Sequence, residues 1–148
     1  MIDLAMANPT AAQWSRAQYE RLFVRNLTEL AENQGELSED LVLVAAHDEI
    51  GAPRLIGFLV AHRVGREWEL QNIAVSKVLQ RHGIGASLLS EFIAHARREN
   101  HTEIFLEVRE SNRNARALYQ NAGFKEAGVR KDYYSNPIEK AVLYCLAL

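Results

Sequence analysis

Residue types and spacings suited to chemistry concentrate in the second half of this 148-residue chain. The stretch VLQRHGIGASLL, residues 78–89, sets Gly83 and Gly85 one residue apart, just ahead of a run of good helix formers. A helix start leaves backbone N–H groups without partners and carries a partial positive charge, so it suits a phosphate. Glycine there lets the backbone approach the phosphate oxygens closely; it also serves a plain tight turn. Two well-known phosphate motifs are excluded. Gly85 is followed by Ala86 and Ser87, not by the Lys-Ser/Thr of a P-loop, and Leu88 stands where a dinucleotide fingerprint needs a third small residue. Further on, Glu107 lies in LEVR between apolar residues, where desolvation would raise its pKa and suit it to accept a proton. A surface carboxylate, or one paired with Arg109, is the plainer reading. Tyr119 falls on the apolar face of a helix, the ordinary place of a core aromatic, and Tyr133 and Tyr134 form an adjacent pair of which a strand would turn one inward and one outward.

The elements that must position these residues follow from periodicity. Apolar residues at helical spacing over residues 10–32 predict a first helix, with Asn33 and Gly35 as its stop. DLVLVAAHD, LIGFLVAHRV and REWELQNIAV predict three antiparallel strands, the first two joined as a hairpin through GAPR. Leu88, Leu89, Phe92, Ile93 and Ala96 then share one face of a helix expected to end near Asn100. In TEIFLEVRE, Ile104, Leu106 and Val108 fall on one face of a strand, and Phe105, Glu107 and Arg109 on the other. Asn112 or Ser111 can cap the next helix, where Ala115, Leu118, Tyr119 and Ala122 share a face before Gly123 ends it. FKEAGVRKDYY and EKAVLYCLAL predict two last strands around a loop at residues 135–137. The order is helix, three strands, helix, strand, helix, two strands, without repeat or linker, and the length and 48% apolar content fit one domain over residues 1–148.

Composition narrows the class. A formal charge of −2 supplies no basic field of the kind that holds nucleic acid non-specifically. Cys145 is the lone cysteine; in AVLYCLAL it reads as a buried structural thiol, and such usage fits a reducing cytoplasm. No apolar run reaches the roughly 20 residues that cross a bilayer, and MIDLAMANPT lacks the basic start and apolar stretch of a signal peptide. The expectation is a cytoplasmic protein free of nucleic-acid and membrane partners.

QRHGIG, residues 80–85, is similar to the Gln/Arg-x-x-Gly-x-Gly/Ala loop with which the GNAT acetyltransferases hold the pyrophosphate of acetyl-coenzyme A. LQNIAVSKVLQRHGIGASLL, LEVRESNRNARALYQNAGF and RKDYYSNPIEKAVL resemble, more closely, the bacterial ribosomal-protein alanine N-acetyltransferases. The resemblance runs from about Trp14 to Leu148 and is dense from Leu70 onward. It implies an α/β GNAT fold: a mixed, mostly antiparallel sheet flanked by helices, with two strands splayed near NIAV to admit the pantetheine arm. It implies acetyl-coenzyme A as co-substrate, no metal, and direct transfer without an acyl-enzyme. The coenzyme contacts it implies are Ile73, Ala74 and Val75, the loop Gln80, Arg81, His82, Gly83, Ile84, Gly85 and Ala86, and Asn112. In this family Val75 N–H would polarise the acetyl carbonyl, Glu107 would be the general base, and Tyr119 the general acid toward the thiolate, for which a phenol of pKa near ten is a suitable donor. Tyr133 and Tyr134 would grip the acceptor, a protein N-terminus, with that of ribosomal protein S18 foremost. Another N-terminus, a lysine, a small amine, or a non-catalytic acyl-coenzyme A-binding module are the alternatives. The sequence departs from the family's pattern in two places. Only 13 residues precede Trp14, so the family's first strand is expected to be missing and its edge covered by a second copy in a homodimer; and Lys140 stands where an acidic residue is common, with acceptor choice at stake.

Overall fold

The structure, a computed structural model, describes residues 39–47 and 54–148. The helix predicted over residues 10–32, the short N-terminal segment with its inferred dimer edge, and most of the GAPR turn lie outside the described residues. Among the described residues six strands form one sheet: β1 (Asp40–His47), β2 (Arg54–Val64), β3 (Glu67–Val75), β4 (Glu103–Arg109), β5 (Lys125–Ser135) and β6 (Ile138–Ala147), in the order β1-β2-β3-β4-β6-β5. Helix α1 (Ile84–Arg98) crosses from β3 to β4, and α2 (Arg113–Asn121) leads from β4 to β5. Among the described strands only the β3–β4 pair is parallel, as its helical crossover requires, and the other pairs are antiparallel. The sheet is thus mixed and mostly antiparallel, as expected.

Helix α1 buries Leu88, Leu89, Phe92, Ile93 and Ala96, the predicted stripe, and packs against β1, β2 and β3. It ends at Arg98, two residues before the predicted stop, because Asn100 turns into the left-handed region at φ 57°. Strand β4 alternates as predicted: Ile104, Leu106 and Val108 are buried, while Phe105, Glu107 and Arg109 are half-buried on the other face. Trp68 meets Phe92 edge-on, with ring centroids 5.8 Å apart, and closes the core at the end of the sheet where β3 and β4 are paired. Asn112 caps α2 by accepting the Ala115 N–H at 3.2 Å, and Gly123 stops the helix at φ 95°.

Two irregularities shape the end of the sheet away from Trp68. Opposite the Val60/Ala61 step of β2, the partners are Asn72 and Leu70, so Gln71 is an extra residue that bends β3. Pairing of β3 with β4 runs from Glu67–Glu103 only to Leu70–Leu106, the position just before that bulge. In β5, Arg130 pairs with Ala141 and Tyr134 with Glu139, so residues 131–133 stand against Lys140 alone. The edge strand buckles there, with Asp132 at φ 50°.

Candidate active site

Where β3 and β4 part, a cavity of about 790 Å³ opens, within the size range of small-molecule sites. Its walls are the end of β3 beyond its pairing with β4, the turn before α1, the end of β4, one face of α2 and the β5–β6 turn.

The first wall is mostly backbone. After a single 3₁₀ turn at Lys77–Leu79, the chain passes through Arg81 at φ 69° and Gly83 at φ 83°, ψ −8°. Gly83 is the N-cap of α1, a left-handed position that favours glycine, and among the described residues no side chain caps this helix. Among the described residues a Cβ on Gly83 would meet nothing within 4 Å, and one on Gly85 would meet only Leu118 Cδ2 at 3.6 Å and Val75 Cγ2 at 3.7 Å. Packing therefore does not demand the bareness of Gly85. What bareness leaves is a helix start whose main chain lines an open cavity, with the positive end of the helix turned toward any anion held there. Gln80 steadies the turn by donating Nε2 to the Val75 carbonyl at 3.2 Å.

The opposite wall is built of side chains. Glu107 is not isolated among apolar groups as its neighbours in sequence imply: its Oε1 lies 2.7 Å from Arg130 Nη1, and it accepts a hydrogen bond from the Tyr133 hydroxyl. Its partner is Arg130 from the buckled edge strand, not Arg109. The bond to Glu107 is the main reason the Tyr133 phenol is pushed up to about 12. Tyr133 is half exposed, at 49%, and Tyr134 is turned further inward, as the alternation predicts; their rings meet edge-on at 5.1 Å. Burial pushes Tyr134 upward as well.

Tyr119 lines the cavity from α2 while its ring belongs to the core, 5.9 Å from Phe124 and 6.2 Å from Tyr144. It is a core residue that also lines the cavity. Its neighbour Leu118 is only half-buried and faces Gly85, so Tyr119 rather than Leu118 is the deeper anchor. Burial raises the Tyr119 pKa well above the ordinary phenol value. Tyr144 pins this helix to β5: its hydroxyl donates to Glu126 Oε1 at 2.8 Å and accepts from Gln120 Nε2 at 3.0 Å.

Of the residues singled out from sequence, Ile73, Ala74, Val75, Gln80, Arg81, Gly83, Gly85, Ala86, Glu107, Asn112, Tyr119, Tyr133 and Tyr134 line this one cavity. His82 and Ile84 lie outside its lining: His82 is exposed and donates Nδ1 to the Gln80 carbonyl at 2.9 Å, and Ile84 packs against the core. Lys140 also lies outside the lining, with Nζ 2.7 Å from Glu110 Oε1. Cys145 is half-buried on β6, where burial pushes its thiol up to about 11. Sequence reasoning missed Asn114, Ala117 and Asn121, which line the cavity from α2 at helical spacing; that stripe of small and amide side chains was a readable signal. It also missed Gln71, whose place comes from a bulge that no local pattern marks. Among the described residues no helix is long and apolar enough to cross a membrane, and no cluster of three or more His, Cys, Asp or Glu side chains is placed to hold a metal ion.

Residues 6–124 match the acetyltransferase (GNAT) family. The chain is 38% identical over 108 residues to the ribosomal protein bS18-alanine N-acetyltransferase of Haemophilus influenzae, covering 73% of this chain and 69% of that one. With the enzyme of the same name from Salmonella typhimurium, identity is 35% over 133 residues, covering 90% and 86%. The crystal structure of the ribosomal-protein-S18-alanine N-acetyltransferase from Escherichia coli superimposes with a TM-score of 0.72 at 31% identity, covering 97% of this chain and 84% of that one.

Proposed function

Because this chain belongs to the acetyltransferase (GNAT) family, we propose that its cavity transfers an acetyl group from acetyl-coenzyme A to a protein N-terminal amine, that of ribosomal protein S18. One observation carries this reading: the parting of β3 and β4 brings an uncapped helix start, a carboxylate and a buried phenol to a single cavity.

The first wall fits the coenzyme. Main-chain N–H groups at residues 83–86 would hold the diphosphate, because a side chain at Gly83 would occupy open space and none is needed at Gly85 for packing. The edge of β3 at Ile73, Ala74 and Val75, past the last residue paired with β4, would receive the pantetheine arm as a further strand, and Asn112 and Arg81 would complete the grip. The coenzyme supplies an activated thioester carbonyl.

The opposite wall fits the acceptor. Glu107 takes a proton from the incoming ammonium, directly or through water, so that a neutral amine attacks; the Tyr133 hydroxyl and Arg130 fix the direction of its carboxylate. Tyr119 returns a proton to the departing sulfur, and burial keeps its phenol protonated for that purpose across the physiological range. Tyr133 and Tyr134 hold the acceptor backbone. A passive acyl-coenzyme A-binding module would have no use for Glu107 and Tyr119 in the same cavity as the phosphate turn. The relatives named for action on S18 support that acceptor. Incubation with acetyl-coenzyme A and the N-terminal peptide of the organism's own S18 should add one acetyl group to the α-amine, read by mass spectrometry. Acetylation only of other amines would overturn the acceptor assignment.

A further inference from the structure

We infer that Arg109 is a positioning residue for acceptor binding, a guanidinium that sets the β5–β6 turn against the end of β4 and ties it to the start of α2. The inference rests on the acetyltransferase reading for its kinetic test. Arg109 follows Glu107 by two residues on the same face of β4 and lines the cavity. Its Nη2 donates to the Asn136 carbonyl at 3.1 Å, and its Nη1 donates to the Pro137 carbonyl at 3.4 Å and to Glu139 Oε2 at 3.3 Å. The flat of the guanidinium lies 4.0 Å from the centre of the Tyr134 ring. One planar group therefore fixes two carbonyls of the turn, a carboxylate at the start of β6 and the ring that precedes the turn, which the point charge of a lysine cannot do.

Glu139 extends the connection. It accepts from the Ser111 N–H at 2.5 Å and from Ser111 Oγ at 3.0 Å, which together hold its carboxyl below the usual range. Ser111 immediately precedes Asn112, the cap of the helix that carries Tyr119. The Arg109–Glu139–Ser111 chain thus joins the acceptor turn to the start of α2, through a half-buried ion pair at Arg109–Glu139 and exposed charge-assisted bonds at Ser111. The hydrogen bonds of Arg109 go to Asn136, Pro137 and Glu139 rather than to Glu107 or Tyr119, and this separates positioning from proton transfer.

The test uses the full chain with acetyl-coenzyme A and the S18 N-terminal peptide. Arg109→Met should raise the peptide KM about tenfold, with kcat and the KM for acetyl-coenzyme A within about twofold. Arg109→Lys should recover little of that loss, because a single ammonium cannot span Asn136 and Glu139. Glu139→Gln keeps the shape of the chain and should raise the peptide KM by a smaller factor, about threefold. Amide hydrogen exchange at residues 134–136 should quicken in all three variants. An unchanged peptide KM together with unchanged exchange in Arg109→Met overturns the inference. So does a fall in kcat at constant peptide KM, which would put Arg109 in the chemistry, and so does full rescue by lysine. Should Arg109→Met fail to fold, Glu139→Gln decides by the same two readouts. If the wild-type protein acetylates no peptide, the functional reading fails, while the exchange experiment still tests the hold of Arg109 on the turn.

Discussion

The two walls of the cavity are made of different material. The wall proposed for the coenzyme is main chain and small residues: the bent end of β3, two left-handed positions at Arg81 and Gly83, and the uncapped start of α1. The wall proposed for the acceptor is large side chains held by one another: Glu107 by Arg130 and Tyr133, and Tyr134 by Arg109. The difference suits the two tasks. A diphosphate is the same in every turnover, and backbone dipoles fixed by a helix recognise it without reorganisation. An acceptor that must be told apart from other amines calls for groups that can be exchanged one at a time without disturbing the sheet. The acceptor wall accordingly sits on a buckled edge strand and its turn, while the coenzyme wall grows from the middle of the sheet.

Substitutions can break this contrast or sharpen it. The largest effect is expected at Tyr119, which stands between the walls: Tyr119→Phe should lower kcat by about 100-fold or more while coenzyme affinity stays within twofold. Isothermal titration with coenzyme A, beside steady-state rates, checks both. The same residue has a pH signature. Its folded-state pKa is raised above the ordinary value of 10, so the stability linked to its proton is complete below about pH 10 and declines as pH climbs toward the raised value. Denaturant midpoints measured from pH 9 to 11 should fall less steeply in Tyr119→Phe than in the wild type. Next in size is Gly85→Val. Its Cβ would make only ordinary contacts, so stability should stay within about 1 kcal/mol, whereas coenzyme affinity should drop about tenfold as the side chain enters the phosphate wall. A loss of both together would mean that Gly85 serves packing, and the contrast between the walls would weaken.

On the acceptor side, Tyr133→Phe removes one hydrogen bond to Glu107. It should reduce kcat/KM for the peptide about threefold to tenfold and leave coenzyme binding untouched. The smallest effect belongs to Lys140, which is paired with Glu110 outside both walls. Lys140→Ala should change stability by less than about 1 kcal/mol and peptide KM by less than twofold. A shift in acceptor preference in this variant would return Lys140 to the determinants of specificity despite its place outside the lining.

Much of the fold was legible because burial imposes its own period. The stripe Leu88, Leu89, Phe92, Ile93 and Ala96, the alternation along β4, and the cap at Asn112 are local consequences of side-chain type, and each stands where the sequence puts it. The proposed site residues were legible to the extent that they belong to contiguous motifs. Their surroundings were harder. Glu107 has apolar neighbours along the chain, yet across space it meets Arg130, brought over it by a buckle in β5 that the residues FKEAGVRKDYY do not announce. Arg109 read as the nearest cation to Glu107, and it turned instead toward Glu139 and the β5–β6 turn.

Among the described residues, the sequence by itself determined the kinds of element, their order, the buried faces and the bare glycines at the head of α1, because each depends on residues close together in the chain. Only the tertiary structure decided that pairing of β3 and β4 ends at Leu70 and Leu106, that a cavity opens beyond it, and which cation meets which carboxylate there. Strand register, bulges and ion pairs are settled by how distant segments compete for the same partners, and that competition has no local period to read.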